Sequence, residues 1–209
     1  MATHTPEQLS ARERLLNAAD ELFYDQGVHT VGIDRVIERA GVAKATLYST
    51  FGSKDGLIRA YLEGRHDERA ERINRGLGRF DNPRDRLLGV FDVLSESIAR
   101  PTFRGCAFIN ASAESAPGSV VQQVSDSSRT WIHTLLTDLA RDAGAPDPDG
   151  LGAQLAMLYD GAVVTARMDH NLQAATIAKS VATALVDAAI VPTDPADQRR
   201  SRRAPRRHR

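Results

Sequence analysis

GIDRVIERAGVAKATLYSTFGSK, residues 32–54, is the stretch on which the reading of this chain turns. Ile33, Val36, Ile37 and Ala40 stand at i, i+3, i+4 and i+7, one face of a helix. Gly41 follows directly, a residue able to adopt φ > 0 and stop that helix. Leu47 and Phe51, four apart, give the next helix a single inward seam. At 100° per residue Ala45 and Ser49 point away from that seam, with Thr46 and Tyr48 beside them. A short helix buried along one line, with small and hydroxylic residues opposite, suits insertion into a DNA major groove. A short surface helix without that role is the other reading that the spacing allows.

Outward from this core the pattern continues. Ser10 can cap a helix running to about Gln26, with Leu15, Ala19, Leu22 and Phe23 inward and Gly27 at its end. Ser53 can cap a fourth helix, with Asp55 in its first turn, favourable for the dipole. Taken together, the helix from Leu15 to Gly27 ending in LFYDQG, the run GIDRVIERAGVAKATLY, and Phe51, Ser53 and Lys54 resemble the amino-terminal domain of TetR/AcrR-family transcriptional regulators. The resemblance covers roughly residues 10–60. It implies an all-α protein with a helix-turn-helix DNA-binding domain over 10–60 and a larger helical ligand-binding and dimerisation domain over 61–191.

The resemblance implies DNA contacts in and around the third helix. Lys44 at its first turn has the reach for guanine O6/N7. Thr46 lies on the same outer side, and Tyr48 offers a hydroxyl to phosphate and a ring to a thymine methyl. Ala45 and Ser49 point outward between them, and Thr50 stands where many family members carry histidine. Lys54, beside the Ser53 cap, would set an ammonium next to backbone N–H groups that can bind the same phosphate. Many members have threonine where this chain has Val31, so Thr30 or Gly32 must serve the start of the second helix. Only three lysines occur, Lys44, Lys54 and Lys179, and two of them bracket the third helix.

Charge qualifies this picture. The 209 residues carry 27 basic and 27 acidic side chains. Residues 192–209 hold seven arginines and two aspartates, net +5, which leaves 20 basic against 25 acidic, net −5, in 1–191. Residues 1–60 carry seven basic and eight acidic groups. Phosphate affinity must therefore come from a few well-placed groups and from the tail. That tail, QRRSRRAPRRHR, has no apolar residues to bury and reads as a disordered segment. It is either a solubilising extension or a non-specific nucleic-acid arm.

Beyond residue 60 everything reads helical. RHDERAERINRG is nearly all charged, with Glu68→Arg72 and Glu71→Arg75 at i, i+4, and reads as a solvated connector helix. Pro83 sits at a helix start. Residues 103–114 form a short apolar segment, a long helix follows to about Ala143, and GAPDPDG reads as a loop. In the last two helices Leu151, Leu155, Leu158, Tyr159, Ala162, Val163 and Ala166, then Ala178, Val181, Ala182, Leu185, Val186 and Ala189, each line one face. Both helices are apolar almost all round, so they need cover on most sides. A partner subunit provides it, and the resemblance implies a homodimer through residues 151–190. The alternative is a monomer core.

The resemblance also implies a small-molecule pocket. Phe91, Phe103, Phe108, Trp131, Met157 and Tyr159 come from different helices and can line one cavity, with Asn110 as a polar orienting group. Plain core packing is the competing reading. Met168, Ser112 and Glu114 belong to the same expectation.

Other classes fare poorly. Cys106 and His133 lack a nucleophile elbow, a Gly-rich phosphate loop or any HExxH or CxxC pattern around them, so no catalytic residues are expected. The six histidines are scattered without ligand spacing, so neither metal nor cofactor is expected. No apolar run approaches the ~20 residues that span a bilayer, so no membrane partner is expected. The amino terminus has no hydrophobic signal core, which points to the cytoplasm. The expectation is a homodimeric repressor bound to a palindromic double-stranded DNA operator and released by a small-molecule effector. The alternatives are a ligand-independent regulator or activator, and a helical binding module with vestigial DNA binding.

Overall fold

The computed structural model describes residues 9–113 and 115–190. The Arg-rich tail and Glu114 lie outside the described residues. All nine described elements are helices: α1 Ala11–Gln26, α2 Ile33–Ala40, α3 Lys44–Phe51, α4 Lys54–Leu77, α5 Pro83–Ile98, α6 Ala107–Ser112, α7 Val120–Asp142, α8 Pro148–Met168 and α9 Ala174–Ala189. No described helix is long and apolar enough to cross a membrane.

Local signals fix the ends of the first helices. Ser10 Oγ accepts from the Glu13 amide while the Glu13 side chain accepts from the Ser10 amide, a reciprocal cap that satisfies two orphan donors. Gly41, at φ 62°, ends α2 in the left-handed conformation and turns the chain into α3. Ser53 caps α4 through the Gly56 amide at 3.0 Å. Gly56 is held there by space: a Cβ at that position would lie 2.0 Å from the Phe51 carbonyl oxygen. This close approach lets the end of α3 sit directly on the start of α4.

Two hydrophobic cores result, and α4 contributes to both. The first joins α1, α2, α3 and the early part of α4 through Leu15, Phe23, Val36, Leu47, Leu57 and Leu62, all buried. It is not closed by these helices alone, because Ala107, Phe108, Ala111, Val121 and Val124 from α6 and the start of α7 complete it. The second core runs from Ile73 and Leu77 of α4 through α5, α7, α8 and α9, around the fully buried Phe91, Leu136, Leu155 and Ala182.

Three expectations change. GAPDPDG is a loop only in its first part, since Pro148 begins α8 and Asp147 caps it. The charged run of α4 is not uniformly solvated. Arg65, Arg69 and Arg72 turn inward along one face, while Glu68 and Glu71 stay outside. Glu71 pairs with Arg75 as expected, but Arg72 makes no salt bridge among the described residues. In α8 and α9 the apolar positions divide into two faces. Leu151, Leu155, Ala162, Ala178, Ala182 and Val186 face the second core, and other residues are turned out.

The two α4 glycines predict opposite outcomes for one substitution. Gly64→Ala, where a Cβ meets nothing within 4 Å, should stabilise by about 0.5–1 kcal/mol through helix propensity and chain entropy. Gly56→Ala should destabilise, because the methyl lands on backbone that cannot swing aside. Thermal unfolding of the two variants checks the signs.

Candidate nucleic-acid interface and core cavity

Helix α3 is anchored by one fully buried side chain, Leu47, with Phe51 half-buried behind it. Arg12 lies over the Phe51 ring at 5.6 Å, a cation–π contact from α1. Everything else on α3 faces outward. Lys44, Ala45, Ser49 and Thr50 are exposed, Thr46 is half-exposed, and Tyr48 is 45% exposed. The candidate contacts at 44, 45, 46, 48, 49 and 50 thus share one helix and its open side. Lys54 stands at the first turn of α4, half-exposed, with no salt bridge among the described residues. Thr30 is exposed in the turn before α2, but the residue at the α2 N-cap is Gly32 and no side chain caps that helix. Thr30 therefore has no capping role in the structure.

The surface is partly self-satisfied. Ser49 Oγ and Thr50 Oγ1 both donate to the Thr46 carbonyl, at 3.0 and 2.6 Å, so their hydroxyls are turned back on the helix. Lys44 Nζ donates to Asp34 Oδ1 at 2.9 Å, both groups being exposed. The hydrogen bond and charge of Asp34 raise the Lys44 pKa above the ordinary lysine value. DNA binding through Lys44 has to displace Asp34 or share the ammonium with it.

The arginines of α2 are exposed and reach across to α1. Arg39 donates to Glu21 Oε2 at 2.7 and 2.9 Å, and Arg35 donates to Gln26 Oε1 at 2.5 Å, both reaching α1. Arg14 Nε, from α1, caps the last turn of α2 at the Ala40 carbonyl, 3.1 Å away. These contacts join α1 and α2 at the surface, in addition to the core that both share with α3.

A second site lies behind this unit. A cavity of about 130 Å³ opens between α1, α4, α5, α6 and α8. Phe103, Phe108 and Tyr159, three of the expected ligand contacts, line it. Phe91 is wholly buried one layer back, edge-on to Tyr159 with ring centres 6.5 Å apart. Trp131 also stands off the lining, edge-on to His66 at 5.4 Å. Phe91 and Trp131 are thus off the lining, and three further assignments need correcting. Met157 is 76% exposed on the outer face of α8, as is Met168 at 72%. Asn110 is exposed, and its amide donates to the Arg104 carbonyl at 3.0 Å. Ser112 lines an adjoining space of about 400 Å³ that shares Arg69, Cys106 and Phe108 with the first.

The sequence reading missed the arginines. Arg65, Arg69, Arg72 and Arg100 border the cavity, and no carboxylate does among the described residues. The spacing 65, 69, 72 is i, i+4, i+7, one helix face, and that signal was present. Arg65 is neutralised by Asp20 of α1, at 2.5 Å to Oδ1, and lies 3.8 Å above the Tyr24 ring. Burial raises the Asp20 pKa more than Arg65 lowers it. The Tyr24 hydroxyl donates to the Gly105 carbonyl and accepts from the Arg104 amide, each at 2.9 Å. The cavity wall is thus tied directly to the helix that carries α2 and α3.

The chain is similar to known proteins. The family described as "Bacterial regulatory proteins, tetR family" matches residues 15–61. SCO4454, a TetR-family transcriptional regulator from Streptomyces coelicolor, is 32% identical in its crystal structure, with a TM-score of 0.82 over 86% of this chain and 96% of that one. A TetR-type regulator from Streptomyces avermitilis is likewise 32% identical, with a TM-score of 0.76 over 87% of this chain and 98% of that one. The transcriptional activator FasR of Mycolicibacterium smegmatis is 29% identical over 64% of this chain and 60% of its own length. The transcriptional repressor KstR2 of the same organism is 30% identical over 47% and 48% respectively. The chain therefore spans less than two thirds of these curated relatives.

The Lys44–Asp34 pair supplies a test of the interface. Asp34→Asn removes a negative charge beside α3 and releases Lys44, so DNA affinity should rise, most at low salt. Tyr48→Ala and Lys54→Ala should each weaken it with little change in melting temperature. Fluorescence anisotropy with labelled duplex, across a salt series, reads all three.

Proposed function

The chain belongs to the TetR family of transcriptional regulators, and from that membership we propose a homodimeric repressor of a palindromic operator, released by a small molecule in the α4–α8 cavity. DNA binding and transcriptional regulation are the family's work, and its members are not enzymes. The observation that carries the specific reading is α3 itself: one buried anchor, and an open side made of Lys44, Thr46, Tyr48, Ser49 and Thr50. With Lys54 at the neighbouring helix start, these groups suit base edges in one major groove and the phosphates flanking it.

Two copies of α3 are needed to read two half-sites about one helical turn apart. The outer faces of α8 and α9 support a dimer. Met157, Val164 and Met168 stand at i, i+7 and i+11 on α8, one exposed apolar line. Ile177 and Val181 continue the surface on α9 at 57% and 45% exposure. A homodimer through residues 151–190 would cover these side chains. The working location of such a protein is the cytoplasm, with the DNA.

Effector release follows from differential affinity: the ligand must favour a dimer whose α3 helices are wrongly spaced for successive grooves. The relatives named above include an activator and a repressor. Transcription in vitro with and without protein therefore reads the sign separately from binding. The domain division proposed is a DNA-binding unit over 10–60 and a ligand-binding and dimerisation unit over 61–191, with α6 and the start of α7 docked on the former.

The function is tested by shift assays on the DNA upstream of the protein's own gene. A sequence-specific, salt-dependent complex is expected, and equal affinity for random duplex would sink the operator reading. For the dimer, Ile177→Glu combined with Val181→Glu should halve the mass in light scattering and leave the helical circular dichroism intact. Operator affinity should fall with it. Ala182→Glu should behave differently, unfolding the subunit, because Ala182 is fully buried in the subunit's own core.

A further inference from the structure

The arginine-walled cavity has a chemical preference. Its borders combine four guanidinium groups with the apolar side chains of Leu94, Phe103, Phe108 and Val163. The four arginines are not equivalent. Arg65 is spent on Asp20. Arg69 is held in place by two hydrogen bonds to Ser128, 2.7 Å to Oγ and 2.9 Å to the carbonyl, and lies over the rings of Phe108 and Trp131. Arg72 and Arg100 have no side-chain hydrogen bond or salt bridge among the described residues. The Nε atoms of Arg69 and Arg72 are buried without a hydrogen-bond partner. Burial first, and the neighbouring Arg100 second, push the Arg72 guanidinium below the usual arginine range. Tyr159 lines the cavity, and its hydroxyl makes no hydrogen bond among the described residues.

Such an arrangement is costly as it stands. Arg72 is half-buried beside the like charge of Arg100, which stands exposed at the rim, and the buried Nε donors of Arg69 and Arg72 go unused. A ligand that brings one negative charge relieves both. The volume, about 130 Å³, compares with cavities of roughly 150 Å³ that hold a single benzene ring. We propose that this cavity binds a small organic carboxylate, one acidic head set between Arg72 and Arg100 on a ring-sized apolar body packed against Phe103, Phe108 and Val163. Tyr159 donates to the same head. The proposal rests on the effector reading of this cavity and names the chemistry that reading left open.

The geometry also provides the link to DNA binding. Arg65 and Tyr24 form one end of the same cavity, and both are bonded to α1 or to the segment leading into α6. A carboxylate entering between Arg72 and Arg100 changes the field at Arg65 and hence its hold on Asp20. Phosphate is a poorer occupant, because its extra charge and full hydration find no use for the apolar wall.

Three acids, benzoate, phenylacetate and cinnamate, each with its neutral amide, and inorganic phosphate as a further control, would be titrated into the full-length protein at constant ionic strength. Calorimetry and the fluorescence of Trp131, the sole tryptophan, give two independent readouts. At least one acid should bind roughly tenfold or more tightly than its amide and than phosphate, the size expected for a charge-assisted bidentate contact. Arg72→Gln should abolish that preference. It should also leave the melting temperature of the ligand-free protein unchanged or higher, since it removes like-charge crowding, whereas a merely structural arginine would lower it. Amides equal to their acids, phosphate equal to the acids, no acid binding at all, or an undiminished preference in Arg72→Gln would each overturn the proposal. Anisotropy on bound operator separates the two levels. An acid that binds through Arg72 and leaves operator affinity unaltered supports the carboxylate site and removes the effector reading. A neutral compound that releases operator while every acid is silent does the reverse.

Discussion

Helix α4 belongs to both cores at once, and the rest of the molecule is arranged around that constraint. Its first turns carry Leu57, Ile58, Tyr61 and Leu62 into the core beneath α3, and its last turns carry Ile73 and Leu77 into the core beneath α5. An α-helix of 24 residues, about 36 Å long at 1.5 Å per residue, does not bend freely without a proline or a break in its hydrogen bonds. The two units therefore cannot be repositioned by a flexible linker. Any change at one end of α4 has to be taken up as a tilt of the whole helix, or at the contacts α4 makes along its length.

Those contacts are polar where the two cores meet. Between Leu62 and Ile73 the inward face of α4 is not aliphatic but arginine, at positions 65, 69 and 72. A hydrophobic seam there would pack the units together in one lowest-energy arrangement. Guanidinium groups lying over Tyr24, Phe108 and Trp131 bury their planes while needing hydrogen-bond partners at their edges. The one ion pair among them, Arg65 with Asp20, is partly buried, and such a pair contributes little net stability and depends strongly on geometry. The free energy of this joint therefore responds to a new charge placed among the guanidinium groups.

How much of this could be read in the sequence follows the range of the interactions. The cap at Ser10, the left-handed Gly41 and the cap at Ser53 were legible because each depends on residues within three or four positions. The single seam of α3 was legible for the same reason, and it placed the outward residues of the candidate DNA surface correctly on one open side. The charged run 65–76 was misread because composition outweighed spacing: three arginines on one helix face looked like solvated charge, and only the tertiary neighbours Asp20, Tyr24 and Ser128 reveal otherwise. Helices α8 and α9 are apolar on nearly every side, so their periodicity carries no direction. That is why Met157 was placed in the cavity when it faces outward. The docking of α6 and α7 on the first core involves partners some 50–100 residues apart, and nothing local announces it.

The last step concerns energy rather than placement. To shift a two-state protein from nearly all DNA-competent to nearly all incompetent, a ligand must prefer the second state by roughly 5.5 kcal/mol. Hydrophobic burial in so small a cavity would be similar in both states and contributes little to that difference. Charge placement differs more, because the distances from Arg72 and Arg100 to a fixed anion, and from Arg65 to Asp20, change directly with any tilt of α4. In a symmetric dimer two such sites act on one pair of α3 helices, so each needs to supply only about half of the shift. On the proposed mechanism the protein spends stability on a crowded arginine joint, and the return is a differential affinity that a better-packed interface could not provide.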